Sequence, residues 1–265
     1  MSPAIHHGLD RFEVFDAHLH IVDPRFPLVI NQGYLPDAFE VDTYLQRLRG
    51  VRLVGGAVVS GSFQAFDQSY LVDALRRLGP GFVGVTQLPA SVGNDELQAL
   101  HRAGVRALRF NLKRGGSEDV SEIDRVAHRV HELLGWHVEL YADAAELDGL
   151  RHRLAQLPAL SIDHLGLSRR GLPTLCWLVE RGVRVKATGF GRVDFDIAAA
   201  LRELTAINPA AVMFGTDLPS TRAPRPYRDD DLRLVVDTLG PELAARVLGA
   251  NARAWYRLLA AEVRP

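Results

Sequence analysis

The feature that most constrains this chain is an alternation. Eight short apolar, β-prone runs recur along it: FEVFDAHLHIV, RLVGGAVVS, FVGVTQLP, VRALRFNL, HVELYAD, LSIDHLG, VRVKATGF and AVMFGTD. Helical patterns separate most of them, among them DQSYLVDALRRLG, NDELQALHRAG, SEIDRVAHRVHELLG, AAELDGLRHRLAQL, TLCWLVERG and DIAAALRELTAIN. Many of these open on Asp, Asn or Ser and close on Gly or Asn, as helix caps require. The repetition is one of pattern, not of residue identity. Strands that alternate with helices form a parallel sheet with crossover connections. Eight of them in 265 residues predict an α/β fold, a closed (β/α)8 TIM barrel, as a single domain over 1–265. The runs DLRLVVDTLG, PELAARVLG and NARAWYRLLAAE add a C-terminal helical extension.

Two connections are long. One spans Asp23 to Val41 and is rich in Pro and Gly; the other, PSTRAPRPYRDDD, follows the eighth strand. Long loops of this kind belong over a barrel mouth. Together with SGSFQAFD after the second strand, the final loop is expected to shape a pocket.

Bulk properties exclude several classes. A net charge of −1 gives no field to gather nucleic acid or an anionic membrane, and basic residues are not clustered with aromatics. No apolar run reaches the ~18 residues of a membrane span, and the N-terminus lacks a signal-peptide core. The lone Cys176 sits in an amphipathic pattern and reads as a packing residue, which suits a reducing cytoplasm. For oligomeric state the general prevalence of twofold symmetry makes a homodimer the expectation.

Barrel active sites lie at the C-terminal ends of the strands. Those ends carry, in order, His18 and His20; Ser60; Gln87; Arg109 and Asn111, with Lys113 and Arg114 beyond; Tyr141 and Asp143; Asp163 and His164; Lys186 and Thr188, then Arg192; and Thr216 and Asp217. In FDAHLH, strand alternation points His18 and His20 the same way and aligns Asp16 with them. Plainer readings exist for several. Arg109 could close the barrel by pairing with Asp143 or Glu139, Tyr141 could be packing, and Asp163 could orient its neighbour. His6, His7, His101, His128, His131 and His152 read as surface, and His137 lies at the wrong end of its strand.

FDAHLH, IDHLG and FGTDLP at these strand ends resemble motifs of the amidohydrolase superfamily. Within it the chain is similar to the amidohydrolase-2 (amidohydrolase-related) group, which includes 2-pyrone-4,6-dicarboxylate lactonase and related lactone hydrolases. GVRALRFNL, GWHVELY, VRVKATGFGR and the closing NARAWYRL extend the likeness over nearly the whole chain. The resemblance implies a hydrolase that attacks an ester, lactone or amide carbonyl with water. It implies catalytic roles for His18, His20, His164 and Asp217, and carboxylate-holding roles for Arg109 and Arg192. Ser60, Lys113 and Tyr141 join these as candidate substrate-binding residues.

Two departures from the group stand out. Tyr141 occupies the fifth-strand end, where many members place a metal-binding histidine, and no bridging lysine is evident on the fourth strand. Leu167 stands where the pyrone lactonase pattern has an arginine. A single Zn²⁺ or Mn²⁺ on His18, His20, His164 and Asp217 is one expectation. The other is a metal-free site, with the histidines donating hydrogen bonds to the oxyanion and Asp217 as general base. The expected substrate is a small, carboxylate-bearing molecule such as a sugar lactone or carboxylated lactone. The alternatives are a metal-dependent decarboxylase, an amide hydrolase, and a catalytically silent barrel that binds a ligand.

Overall fold

The computed structural model describes residues 9–258. Among them, eight parallel strands form one sheet in sequence order: β1 (Val14–Leu19), β2 (Leu53–Val59), β3 (Phe82–Thr86), β4 (Val105–Asn111), β5 (His137–Tyr141), β6 (Leu160–Ile162), β7 (Arg184–Ala187) and β8 (Val212–Phe214). Each matches one of the apolar runs. Their burial is nearly complete, as expected of parallel strands covered on both faces.

Helices α1 (Val41–Arg47), α2 (Ser69–Leu78), α3 (Asn94–Arg102), α4 (Ile123–Leu134), α5 (Arg151–Leu154), α6 (Leu172–Glu180) and α7 (Ile197–Ile207) return the chain between strands. The sequence reading did not name α1, whose short VDTYLQR carries too few apolar residues to show a period. The AAELDGLRHRLAQL run is mostly 3₁₀, with only one α turn at its end. In α4, Ile123, Val126, Ala127 and Val130 are buried at helical spacing against the sheet. Helix α8 (Asp229–Ala245) bends at Gly240, whose φ of 71° no helix accommodates, so DLRLVVDTLG and PELAARVLG are two pieces as the sequence implied. A π turn then leads into α9 (Asn251–Trp255).

Two apolar layers result. The larger lies between sheet and helices. The smaller fills the barrel with slender residues, Ala17, Ala57, Val59, Val85 and Ala107, and is plugged by Tyr256 from the C-terminal extension. The Tyr256 hydroxyl donates to Glu139 at 2.5 Å inside the barrel.

The β8–β1 seam is closed by residues at the strand ends. Asp217 N–H donates to the His18 carbonyl and His20 N–H to the Leu218 carbonyl, each at 2.7 Å. Asp16 accepts from the Thr216 amide (2.8 Å), the Thr216 hydroxyl (2.6 Å) and Tyr44 of α1 (3.1 Å). Gly215 permits this approach, because a Cβ there would lie 2.6 Å from the His18 nitrogen.

Candidate active site

The histidine pair depends on a break in strand alternation. Phe15 and Ala17 face the inner layer, while Leu19 and Ile21 face the outer one. A register shift between Asp16 and Leu19 resets the phase, so His18 and His20 lie together with ring centroids 5.0 Å apart. Asp16 is therefore not aligned with them, contrary to simple alternation. It serves the seam.

Around the pair the structure gathers His164, whose ring lies 4.8 Å from that of His18, and Asp217, whose Oδ1 is 3.8 Å from His20 Nε2. All four residues are buried. His164 (φ 50°) and Asp217 (φ 60°) both adopt left-handed backbone, a cost of about 1–3 kcal/mol each that surrounding structure must hold. Asp217 Oδ2 accepts from Arg192 Nε at 2.8 Å, and Arg192 also donates to the Thr221 carbonyl. Gly189 (φ 58°) makes room: a Cβ there would sit 2.8 Å from both Arg192 Cδ and His164 Nδ1.

Proton positions follow from partners. A carbonyl only accepts, so the 2.7 Å contact of His20 Nδ1 with the Val59 carbonyl places a hydrogen on Nδ1. Burial, then the positive neighbours, push the His20 imidazole well below its ordinary range, and the neutral ring presents a lone pair at Nε2. With its hydrogen on Nδ1, a neutral His20 presents an outward nitrogen suited to a ligand or acceptor role more than to donation to an oxyanion. His18 and His164 are also pushed down, chiefly by burial. His164 Nδ1 contacts the Thr188 hydroxyl at 2.7 Å.

Asp163 is the principal residue that sequence reasoning undervalued. Its Oδ2 accepts from Arg109 Nε (3.1 Å) and Nη2 (2.8 Å); its Oδ1 faces His18 Nδ1 at 3.5 Å and Lys186 Nζ at 4.0 Å. Burial alone would raise its pKa, but Arg109, His18 and Lys186 hold it well below the usual carboxylate range. Arg109 thus pairs with Asp163, not with Asp143 or Glu139. Glu139 pairs instead with Lys186 and with His137. The Asp next to a strand-end His was visible in the sequence; the cations that converge on it from β4 and β7 were not.

Ser60, Gln87 and Lys113 fall outside the centre. The Ser60 hydroxyl is buried against Tyr70 (2.8 Å) and Gln68 (3.3 Å), so it does not face a ligand; only its carbonyl matters, accepting from Arg109. Gln87 stitches three loops through the carbonyls of Gly61, Ala65 and Gly116. Lys113 is an exposed rim residue 4.0 Å from Glu146. Tyr141 is buried, edge-on to His164 and under the Arg109 guanidinium. Burial pushes the Cys176 thiol up to about 11, which leaves it inert.

A small inner chamber of ≈ 30 Å³ opens above the histidines, lined by His20, His164, Tyr141, Phe63 and four arginines: Arg109, Arg114, Arg192 and Arg222. It adjoins an outer cleft of ≈ 300 Å³ that shares Arg114, Tyr141, Arg192 and Arg222 with it and reaches Lys113 and Leu167. A larger recess of ≈ 680 Å³ lies on the α3–α4 surface and includes no strand-end residue.

The chain matches the Amidohydrolase family model over residues 15–258. It belongs to the amidohydrolase family. A 2-pyrone-4,6-dicarboxylate hydrolase of Comamonas testosteroni is 33% identical over 157 residues, an alignment covering 57% of this chain and only 51% of that protein. A 4-sulfomuconolactone hydrolase of Rhizobium radiobacter is 26% identical over 88% of this chain and 85% of its own. Among solved structures, a putative 2-pyrone-4,6-dicarboxylic acid hydrolase from Pseudomonas putida superposes with a TM-score of 0.78 at 26% identity, covering 92% of this amidohydrolase and 97% of that chain.

The metal question has a local test in this family member. His18, His20 and Asp217 place ligand atoms within 4.8 Å of one another, as do His18, Asp163 and His164. Both ring nitrogens of His18, Oδ1 of Asp163 and Oδ1 of Asp217 are buried without a hydrogen-bond partner. Buried polar atoms left so are costly, and an N,N,O donor set suits a divalent ion. The residues fit one. No helix among the described residues is long and apolar enough to cross a membrane.

Proposed function

We propose that this amidohydrolase opens a small, carboxylate-bearing lactone by attack of water. One observation carries the reading. Asp217 has one oxygen clamped by Arg192 and the other buried, unpartnered and beside the histidines. Its partners Arg192 and His20 both line the arginine-rich chamber. The names of the relatives, hydrolases of a pyrone dicarboxylate and of a sulfomuconolactone, support the substrate class.

In this mechanism the free Asp217 oxygen takes a proton from water as its oxygen bonds to the lactone carbonyl carbon. Arg192 fixes the carboxylate's orientation through its Nε hydrogen bond. Arg109, Arg192 and Tyr141 provide positive potential and a hydroxyl towards the charge that develops on the carbonyl oxygen. The ring C–O bond then breaks, and Asp217 returns its proton to the departing oxygen, leaving a hydroxy acid. His18, His20 and Asp217 would hold a divalent ion such as Zn²⁺ or Mn²⁺, with His164 beside them. Such an ion supplies polarisation of a carbonyl and a lowered pKa for a water. His20, with its hydrogen fixed on Nδ1 by Val59, is set for that ligand role.

The test is acid release, followed by pH indicator, from a panel of 2-pyrone-4,6-dicarboxylate, muconolactones and sugar lactones, with and without chelator. Turnover on a lactone is expected. No release from any of them, together with release of CO₂ from aromatic acids, would replace this reading with decarboxylation.

A further inference from the structure

The barrel has a second end. At the N-terminal starts of β4 and β5, against the C-terminal extension, a cavity of ≈ 180 Å³ is lined by His101, Arg106, His137, Trp255, Tyr256 and Arg257. Catalytic groups of such barrels gather at the opposite end, and none of these six belongs to the candidate active site. No aspartate or glutamate lines the cavity. Among the described residues, neither Arg106 nor Arg257 has a carboxylate within ion-pair distance. Arg106 donates from Nη1 to the carbonyls of His101 (2.9 Å) and Val105 (2.8 Å), which leave its charge without a counter-charge.

The groups around this cavity are donors without acceptors. Trp255 Nε1 is buried with no hydrogen-bond partner, and so are Nε and Nη1 of Arg184, whose guanidinium lies 5.4 Å over the Trp255 ring. Arg184 opens β7, and burial lowers its pKa as it lowers that of Arg106. His101 Nδ1 accepts from the Trp136 indole N–H at 3.0 Å, so the hydrogen of its neutral ring is on Nε2. The His137 ring stands 4.7 Å from that of Trp255. Buried polar atoms without partners are rare and costly. Arg106 and Arg257 share a cavity with Trp255, and Arg184 adds a third positive charge at the same indole, so an anion there relieves both the repulsion and the missing bonds. A carboxylate lies in the plane of a guanidinium fork, and Trp255, Tyr256 and His137 offer flat apolar faces to a ring that carries it.

We propose that this end of the barrel is a second, non-catalytic binding site for a small aromatic carboxylate. Arg106 and Arg257 take the acid group, and the ring packs on Trp255. The site joins the starts of two strands to the C-terminal extension, so a ligand held there ties that extension to the barrel and stabilises the fold by mass action. The proposal is independent of the lactone hydrolase reading, because no residue of the candidate active site takes part.

The experiment titrates the protein with sodium benzoate, followed by calorimetry and by tryptophan fluorescence. The arginine-rich chamber at the catalytic end also attracts acids, so the titrations are made in an Arg192→Met background, which disables that chamber alone. Saturable binding is expected there. Adding Arg106→Met should weaken it by about tenfold, the value of one charge-assisted pair, and Arg257→Met should do the same. Arg106→Lys, which keeps the charge, should lose less. Arg106 also holds two carbonyls, so the exposed Arg257 provides the variant least exposed to a folding defect. The fluorescence response should vanish in Trp255→Phe, and benzoate should raise the thermal midpoint only where both arginines are present. Acetate, which has no ring, should bind severalfold more weakly than benzoate. No saturable binding in the Arg192→Met background, an affinity unchanged by both Arg106→Met and Arg257→Met, or a fluorescence response that survives Trp255→Phe would each overturn the proposal. Acetate equal to benzoate, or inorganic phosphate tighter than either, would overturn the ligand class.

Discussion

Arg192 grips only one oxygen of Asp217, at 2.8 Å, and the other oxygen is left buried and unpartnered 3.8 Å from His20. An arginine that took both oxygens would leave none to accept a proton. Asp217→Asn keeps the shape and removes the proposed base. Turnover should drop by about 10²–10⁴, the usual worth of a general base, with the thermal midpoint changed by only a few degrees. Steady-state kinetics and a melting curve check both, and near wild-type kcat would remove Asp217 from its role.

Metal binding is expected to depend on His20 through a residue it does not touch with its outward nitrogen. Chelator-treated protein titrated with Zn²⁺ should bind close to one equivalent, and His20→Ala should weaken this by about tenfold or more. Calorimetry gives the answer directly. Equal affinity in His20→Ala would place the ion, if any binds, on the other cluster of His18, Asp163 and His164.

Gly189→Ala should damage activity more than stability. The new methyl would press on both Arg192 and His164, the two groups that flank Asp217, and an alanine at a φ of 58° costs about 1 kcal/mol. A fall in kcat with a small shift in urea midpoint is expected; unchanged kcat would mean that Arg192 relaxes freely.

The buried charge network beneath the site should be costly to break from one side. Lys186 stands between Glu139 and Asp163 with no solvent access. Lys186→Met leaves two carboxylates facing each other without it, and a loss of about 3–5 kcal/mol is expected from urea unfolding. A loss under 1 kcal/mol would show that Arg109 and His137 balance them alone.

Stability should decline on acidification in two windows. Burial holds the His137 imidazole below its ordinary 6.5, so the unfolded chain binds more protons once the pH falls under that value. The contribution is complete above 6.5 and is lost as pH falls towards the folded value. Burial would raise the Glu139 carboxyl, but Lys186 and His137 outweigh it and pull it from 4.5 to about 2. Its contribution is complete above 4.5 and is lost as pH falls towards about 2. Thermal midpoints from pH 8 to pH 3 should fall in that order, and a midpoint that rises on going from pH 7 to pH 5.5 would contradict the sign.

The strands were legible because each is a short apolar run buried on both faces, and the four central residues because each ends or follows such a run. What could not be read was partnership. Asp163 and Lys186 are 23 positions apart and meet only across the barrel interior. Ser60 sits at a strand end like the rest, yet its hydroxyl turns back onto Tyr70 of the next helix. The alternation rule failed at Asp16 because one register shift changes every face beyond it. Helix α1 was missed because two buried residues in seven make no period.

The closing seam gives the barrel an order of events. His18 comes from its first strand and Asp217 from just past its last, and the backbone bond between them is part of what joins those strands. A chain still emerging from the ribosome already carries His18, His20 and His164, and yet until position 217 it has neither the closure nor the proposed base. If Asp217 is the base, as proposed, turnover should begin only when the circle is complete, and its onset would report that final folding event.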